Sequence, residues 1–196
     1  MKVRDAEATK ERILDAASGE FAEHGLAGAR VDAIAARAGA NKQLIYAYFG
    51  SKEELFAAVL GRRLGLLAEE IVLEPERLAD YAGEIFDFHL DHPELTRLLL
   101  YEALHYTNGP VPADERRQAH NAAKVEAVQA AQGRGIIDPS LDARDIVMFV
   151  IALAAWPAAA RQVARQITGD LTNAETRARY RTDLVEAVRR IVTPAA

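Results

Sequence analysis

The chain of 196 residues contains no cysteine, which removes disulfides, thiolate nucleophiles and every Cys-ligated zinc arrangement at once. No apolar run approaches the roughly 18 residues a membrane-crossing helix needs. Met1 to Glu20 is charged throughout, without the apolar stretch of a secretory signal. The expected location is therefore the cytoplasm, with no membrane partner. Also missing are repeats, low-complexity tracts, a Gly-rich phosphate loop, a His-Glu-x-x-His and an ordered Ser/His/Asp set. No catalytic residue, metal site or cofactor is expected. What the chain does have is a composition that is half hydrophobic, enough for a substantial core and too much for disorder.

A net charge of −5 argues against a nucleic-acid partner until its placement is considered. Residues 1–52 carry eight Lys/Arg against seven Asp/Glu, whereas 53–196 carry sixteen against twenty-two. Within 33–52 there are three basic residues (Arg37, Lys42 and Lys52) and no acid. A locally basic surface survives near the N-terminus, and the acidity belongs to the rest.

The apolar pattern is helical almost everywhere, and no alternating run calls for a sheet. Ile13, Leu14, Ala17, Phe21 and Ala22 recur at helical spacing, and Gly25 supplies a stop. A short helix is predicted over Val31 to Ala38, ended by Gly39. Another follows over Lys42 to Phe49, with Asn41 as N-cap and Gly50 as terminator. Ser51-Lys52-Glu53-Glu54 reads as a capping box, opening a helix that stops near Pro75. About five more helices follow, at roughly 76–90, 93–106, 114–132, 142–156 and 174–192, with short helical turns before the last.

Val31 to Phe49 carries the most information, because two short helices joined by a tight turn need specific residue types. A small residue must sit where the helices cross, and Ala35 does. Glycine is wanted four positions on, where a positive φ is cheap, and Gly39 is there. Six further on an aliphatic side chain must plug the angle, and Ile45 does.

Together with its surroundings this stretch resembles the tetracycline-repressor (TetR) family of bacterial regulators. The pattern is carried by RILDAASGEFAEHG (12–25), DAIAARAG (32–39) and, above all, IYAYFGSKEELF (45–56). The resemblance covers about Thr9 to Leu60 and implies an all-α protein of about nine helices. In it, a three-helix helix-turn-helix DNA-binding domain (1–50) precedes a helical effector-binding and dimerisation domain (51–196). It further implies a regulator, expected to be a repressor, that binds a palindromic operator as a homodimer and is released by a small, largely apolar effector. Two features depart from the family pattern. Ala29-Arg30 stands where Thr or Ser is common, weakening the second helix's N-cap by about 1 kcal/mol. Asn41-Lys42-Gln43-Leu44 opens the recognition helix, so the operator sequence is this chain's own.

Chemistry assigns roles to the exposed positions. The Gln43 amide can pair bidentately with adenine, Lys42 can reach guanine or phosphate, and Leu44 can touch a thymine methyl. Arg30, Asn41, Tyr46, Tyr48 and Lys52 are expected to position the backbone of the duplex. The polar-tipped aromatic and apolar set Phe86, His89, Leu98, Tyr101, His105, Phe149 and Trp156 is the candidate effector pocket. Ile146, Val147, Val150 and Leu153, with Leu184, Val188 and Ile191, are the candidate dimer face. Leu64, Leu67 and Ile71 of the long fourth helix are expected to carry a ligand's effect towards Lys52. Glu102-x-x-His105 has di-metal spacing but no second copy, so a helical-bundle metal protein or enzyme stays the alternative. An effector-free DNA-binding dimer is a further one.

Overall fold

The structure, a computed structural model, describes residues 2–107, 111 and 114–194. Among these the chain is all α-helical. The helices are α1 (Lys2–Gly28), α2 (Val31–Ala38), α3 (Lys42–Phe49), α4 (Lys52–Glu70), α5 (Leu78–Asp91), α6 (Pro93–His105), α7 (Asp114–Gly133), α8 (Ala143–Ala159), α9 (Arg161–Thr168) and α10 (Ala174–Val192), with a 3₁₀ turn at Pro75–Arg77. The helix beyond the expected nine is α9, in the stretch where short helical turns are expected. Among the described residues no single helix is long and apolar enough to cross a membrane.

Packing divides the chain into two compact units, Met1–Leu66 with Glu94–Asp114, and Leu67–Pro93 with Glu115–Ala196. This differs from the functional cut expected at residues 50/51, since α6 packs in the first unit and α4 contributes to both.

In the first unit α1 and α4 meet through Phe21 and Phe56, edge to face at 5.1 Å. Ile13, Ala17, Ile34, Ile45, Val59 and Leu98 complete a fully buried core. Gly25 breaks α1 with φ 66° and ψ 178°. A Cβ there would stand 2.7 Å from the Tyr101 ring, so this position needs glycine both for its backbone and for the aromatic packed on it. Arg63 ties α4 to its neighbours, donating to Ser18 Oγ at 3.1 Å and pairing with Glu94 at 3.4 Å.

In the second unit α5 packs against α8 and α10. Phe86 stacks on Tyr180 at 5.2 Å, and Asp87 receives Arg177 at 2.8 Å and Arg181 at 2.6 Å. Asp142 caps α8, accepting the Arg144 N–H at 2.8 Å. Pro157, inside the last turn of α8, has no N–H to continue the ladder. The chain then turns through 91° into α9.

The dimer-face residues expected from sequence are turned the other way. Ile146, Val150 and Val188 are 0%, 1% and 0% exposed, and Val147 and Leu184 are also buried. They are this unit's own core. Only Leu153 is exposed, and Ile191 is half-buried. The outward apolar face of α8 is instead Met148 (62% exposed), Phe149 (45%), Leu153 (39%) and Trp156 (62%). Successive gaps of one, four and three residues place them along one helical stripe.

Candidate nucleic-acid interface

Helix α3 is held by one anchor and presents the rest of its surface. Ile45 is buried between α2 and α3, the Asn41 side chain accepts the Leu44 N–H at 2.8 Å, and the Gly50 N–H closes on Tyr46 O at 2.8 Å. Gly39 ends α2 in the left-handed region at φ 62°, and the Ala40 N–H returns to Ala35 O at 3.0 Å. With both ends fixed, eight residues suffice for a helix that alone would not persist in water.

The start of α2 is stabilised by an unexpected residue. Arg30 gives no side-chain cap, but its N–H donates to Glu20 Oε1 at 3.0 Å. Glu20 is 3% exposed, and its other oxygen lies 3.7 Å from Arg37. A carboxylate from α1 thus does for α2 what the reciprocal Glu of a capping box does within one helix. Sequence reasoning missed it. The available signal was an acid at position 20 inside the stripe of Ile13, Ala17 and Phe21, where solvation is denied and a partner is required.

The capping box at α4 forms only in its first half. Ser51 Oγ accepts the Glu54 N–H at 3.0 Å, whereas the Ser51 N–H donates to Phe49 O at 3.0 Å. The Glu54 carboxylate lies over Gly50 instead of reaching back to Ser51.

Between the starts of α2 and α4 lies an open cleft of about 520 Å³, lined in part by Arg30, Val31, Lys42, Tyr46, Ser51 and Lys52. Helix starts leave N–H groups without intrahelical acceptors and carry a partial positive charge. Two such starts, two ammonium groups and a phenol therefore border one cavity of anion-binding character. Its acids are Asp32 and Glu53. Asp32 holds Lys42 at 3.1 Å, a solvent-exposed pair that contributes little to stability and exchanges readily for phosphate. Lys52 is half-buried and donates to Ala27 O and Ala29 O, both at 3.3 Å, fastening the end of α1 to the start of α4.

Four of the eight expected DNA-contacting residues, Arg30, Lys42, Tyr46 and Lys52, thus border one cleft. The other four do not line it. Asn41 and Gln43 are exposed at the first turn of α3, and the Gln43 side chain makes no hydrogen bond among the described residues. Leu44 is half-buried. Tyr48 is engaged with α1, where Lys10 Nζ stands 5.6 Å from its ring centre.

The expected effector set is divided between the units. Leu98, Tyr101 and His105 belong to the first, and Phe86, His89, Phe149 and Trp156 to the second. Phe86, His89 and Leu98 are core residues, while His105, Phe149 and Trp156 are exposed. None of the seven lines the cavity of about 640 Å³ beside α9 in the second unit. Glu102 is buried and His105 exposed, so the two do not converge as di-metal ligands.

Comparison with known proteins agrees with this geometry. Residues 13–59 match the family model described as "Bacterial regulatory proteins, tetR family", and residues 77–190 match "Tetracyclin repressor-like, C-terminal domain". The chain is 44% identical over 169 residues to the HTH-type transcriptional repressor SCO4008 of Streptomyces coelicolor, covering 86% of this chain and 88% of that one. It is 29% identical over 152 residues to the HTH-type transcriptional repressor NicS of Pseudomonas putida, covering 73% and 66%. Among solved structures, the putative transcriptional regulator SCO4942 from Streptomyces coelicolor superposes with a TM-score of 0.79 at 35% identity, covering 94% and 98%. These relatives are regulators and not enzymes, and the N-terminal family model, over 13–59, takes in most of α1, all of α2 and α3 and the start of α4. The chain is a DNA-binding transcriptional regulator of the TetR family.

Proposed function

We infer that this regulator is a repressor that binds a pseudo-palindromic operator as a homodimer in the cytoplasm and is released by a small molecule held in its second unit. The relatives named as repressors support the direction of control. The carrying observation is the exposed polar face of α3, where the Gln43 side chain is unbonded among the described residues and Lys42 holds only the exposed Asp32, beside a cleft bordered by Arg30, Lys42 and Lys52. In this reading Gln43 reads adenine from the major groove, and Lys42 reads guanine or a phosphate. Leu44 and Asn41 flank them. Arg30, Tyr46 and Lys52, with the N–H groups opening α2 and α4, clamp the backbone on either side. Tyr48 supports the helix from behind.

Two recognition helices require two chains. The exposed stripe Met148, Phe149, Leu153 and Trp156 is the surface that a second copy covers, because an apolar patch of this kind is unfavourable in water. It replaces the buried residues first expected there. Helix α4 contributes residues to both units, so a ligand that displaces its later turns acts on the helix whose first turn contains Lys52. A coupling of about 1–3 kcal/mol would loosen operator binding roughly 5- to 150-fold.

The test is site selection on random duplexes with the full chain. Two inverted half-sites about one helical turn apart are expected, with affinity falling steeply with salt. Gln43→Ala should erase the preference at one position per half-site, at roughly 1–3 kcal/mol. An unchanged consensus in that variant refutes the assignment of Gln43.

A further inference from the structure

The sharp turn at the end of α8 leaves a groove that belongs neither to the DNA interface nor to the outward stripe. Since α9 departs at 91° from α8, none of its eight residues is buried, and one edge of it faces a cavity of about 640 Å³. The opposite wall is the end of α5 together with the segment leading into α10. Leu90, Pro157 and Leu171 supply an apolar floor. A volume of this size suits a small organic ligand.

The charges around the groove are unequally committed. Asp91 is fully occupied by Arg177, whose guanidinium reaches its two oxygens at 2.7 and 2.8 Å. That pairing, with its hydrogen bonds first among the causes, holds the Asp91 carboxyl below its ordinary value. Asp170 is occupied by its own turn, accepting the Thr172 N–H at 2.9 Å and the Thr172 hydroxyl at 2.8 Å. On the facing edge, Arg161 and Gln162 have no hydrogen bond or ion pair from their side chains among the described residues. Arg165 meets only the field of Asp170. Arg161 and Arg165 are four residues apart and so share one face of α9. Both acids of the groove are thus satisfied internally while two guanidinium groups are not. The planar forks of those groups match a carboxylate.

We propose that this groove binds a small carboxylate with an apolar body, the carboxylate on Arg161 and Arg165 and the body on Leu90, Pro157 and Leu171. The reading that this chain responds to an effector is deepened by this site, although binding itself does not depend on that reading.

The test is calorimetric titration of the full chain with octanoate, octanol and octylammonium, which share an apolar tail and differ in charge. Octanoate should bind at one site per chain, tenfold or more tighter than either control. Arg161→Ala/Arg165→Ala should lose about tenfold or more of that affinity. Arg161→Lys/Arg165→Lys, which keeps the charge and loses the planar forks, should fall between the wild type and the Ala pair, and an unaltered circular dichroism spectrum excludes misfolding as the cause. Equal binding of the three probes, or octanoate binding unchanged in the Ala pair, overturns the site. Operator affinity is measured in parallel with octanoate saturating. Release supports both the site and the effector reading, whereas octanoate binding with unchanged operator affinity supports the site and counts against its role in release.

Discussion

Helices α3 and α8 both present an unpartnered face, but the two faces have opposite chemistry. The face of α3 is polar: Lys42 and Gln43 are solvated, and the helix is stable in that state because Ile45 and its caps hold it from beneath. The outward face of α8 is Met148, Phe149, Leu153 and Trp156. Burial of a large apolar side chain contributes about 1.5–3 kcal/mol, so this face gains from being covered at all times. A polar face can wait for its partner and release it, whereas an apolar stripe favours permanent association. The contrast is what a reversible DNA contact carried on a lasting dimer requires.

The strongest test of that contrast is to charge the stripe. Leu153→Glu/Trp156→Glu should dissociate the dimer by two or more orders of magnitude, given about 2 kcal/mol or more for each central residue of an interface. Operator binding should fall with it, since half-sites would be bound independently. The change is on the surface of one chain, so helicity should survive. Val150→Glu, one residue from the stripe but 1% exposed, should instead unfold the second unit. Analytical ultracentrifugation beside circular dichroism separates the two outcomes. A dimer that persists in the double variant places the interface elsewhere.

A second difference between the regions is acid sensitivity. His89 is buried on α5, and burial first, then the nearby His92, lowers its pKa to about 4. An unfolded histidine titrates near 6.5, so between pH 6.5 and 4 the unfolded chain binds a proton that the folded one refuses. Stability from this source is fully present above pH 6.5 and declines as pH falls towards 4, by on the order of 3 kcal/mol. Denaturant titrations at pH 7.5 and 4.5 should show the loss, and His89→Gln should shrink it. Equal pH dependence in that variant would assign the loss to other groups.

The two regions also differ in how much the sequence discloses. Asn41, Gly39 and Ser51 are legible because a cap joins groups only three to five positions apart, so residue type and spacing carry the information. Glu20 is not legible in this way, because the N–H that it accepts is ten positions away on another helix. Helix α8 defeats periodicity for another reason. Both of its faces are apolar, and Ile146, Val147 and Val150 differ in pattern from Met148, Phe149 and Leu153 only by rotation. Which face turns inward is decided by α5 and α10, and no local signal records it. The same holds for the groove beside α9, since its walls come from segments some seventy residues apart.

The smallest expected effect is also the one that best separates the two uses of the α2 start. Arg30 has the extended backbone of an N-cap, at φ −114° and ψ 118°, but no capping side chain. Arg30→Ser would supply a hydroxyl that accepts an N–H of the first turn and should stabilise the free protein by about 0.5–1 kcal/mol. The Arg30 N–H would keep its bond to Glu20, which involves only backbone on that side. The same substitution removes a guanidinium from the rim of the cleft, so operator affinity should fall for all sequences alike, with the salt slope smaller by about one. A thermal melt and operator titrations at two salt concentrations measure both. Greater stability with weaker, less salt-dependent binding would show that Arg30 serves phosphate at the expense of the helix. Unchanged DNA affinity would remove it from the interface and leave Lys42, Tyr46 and Lys52 to border the phosphate.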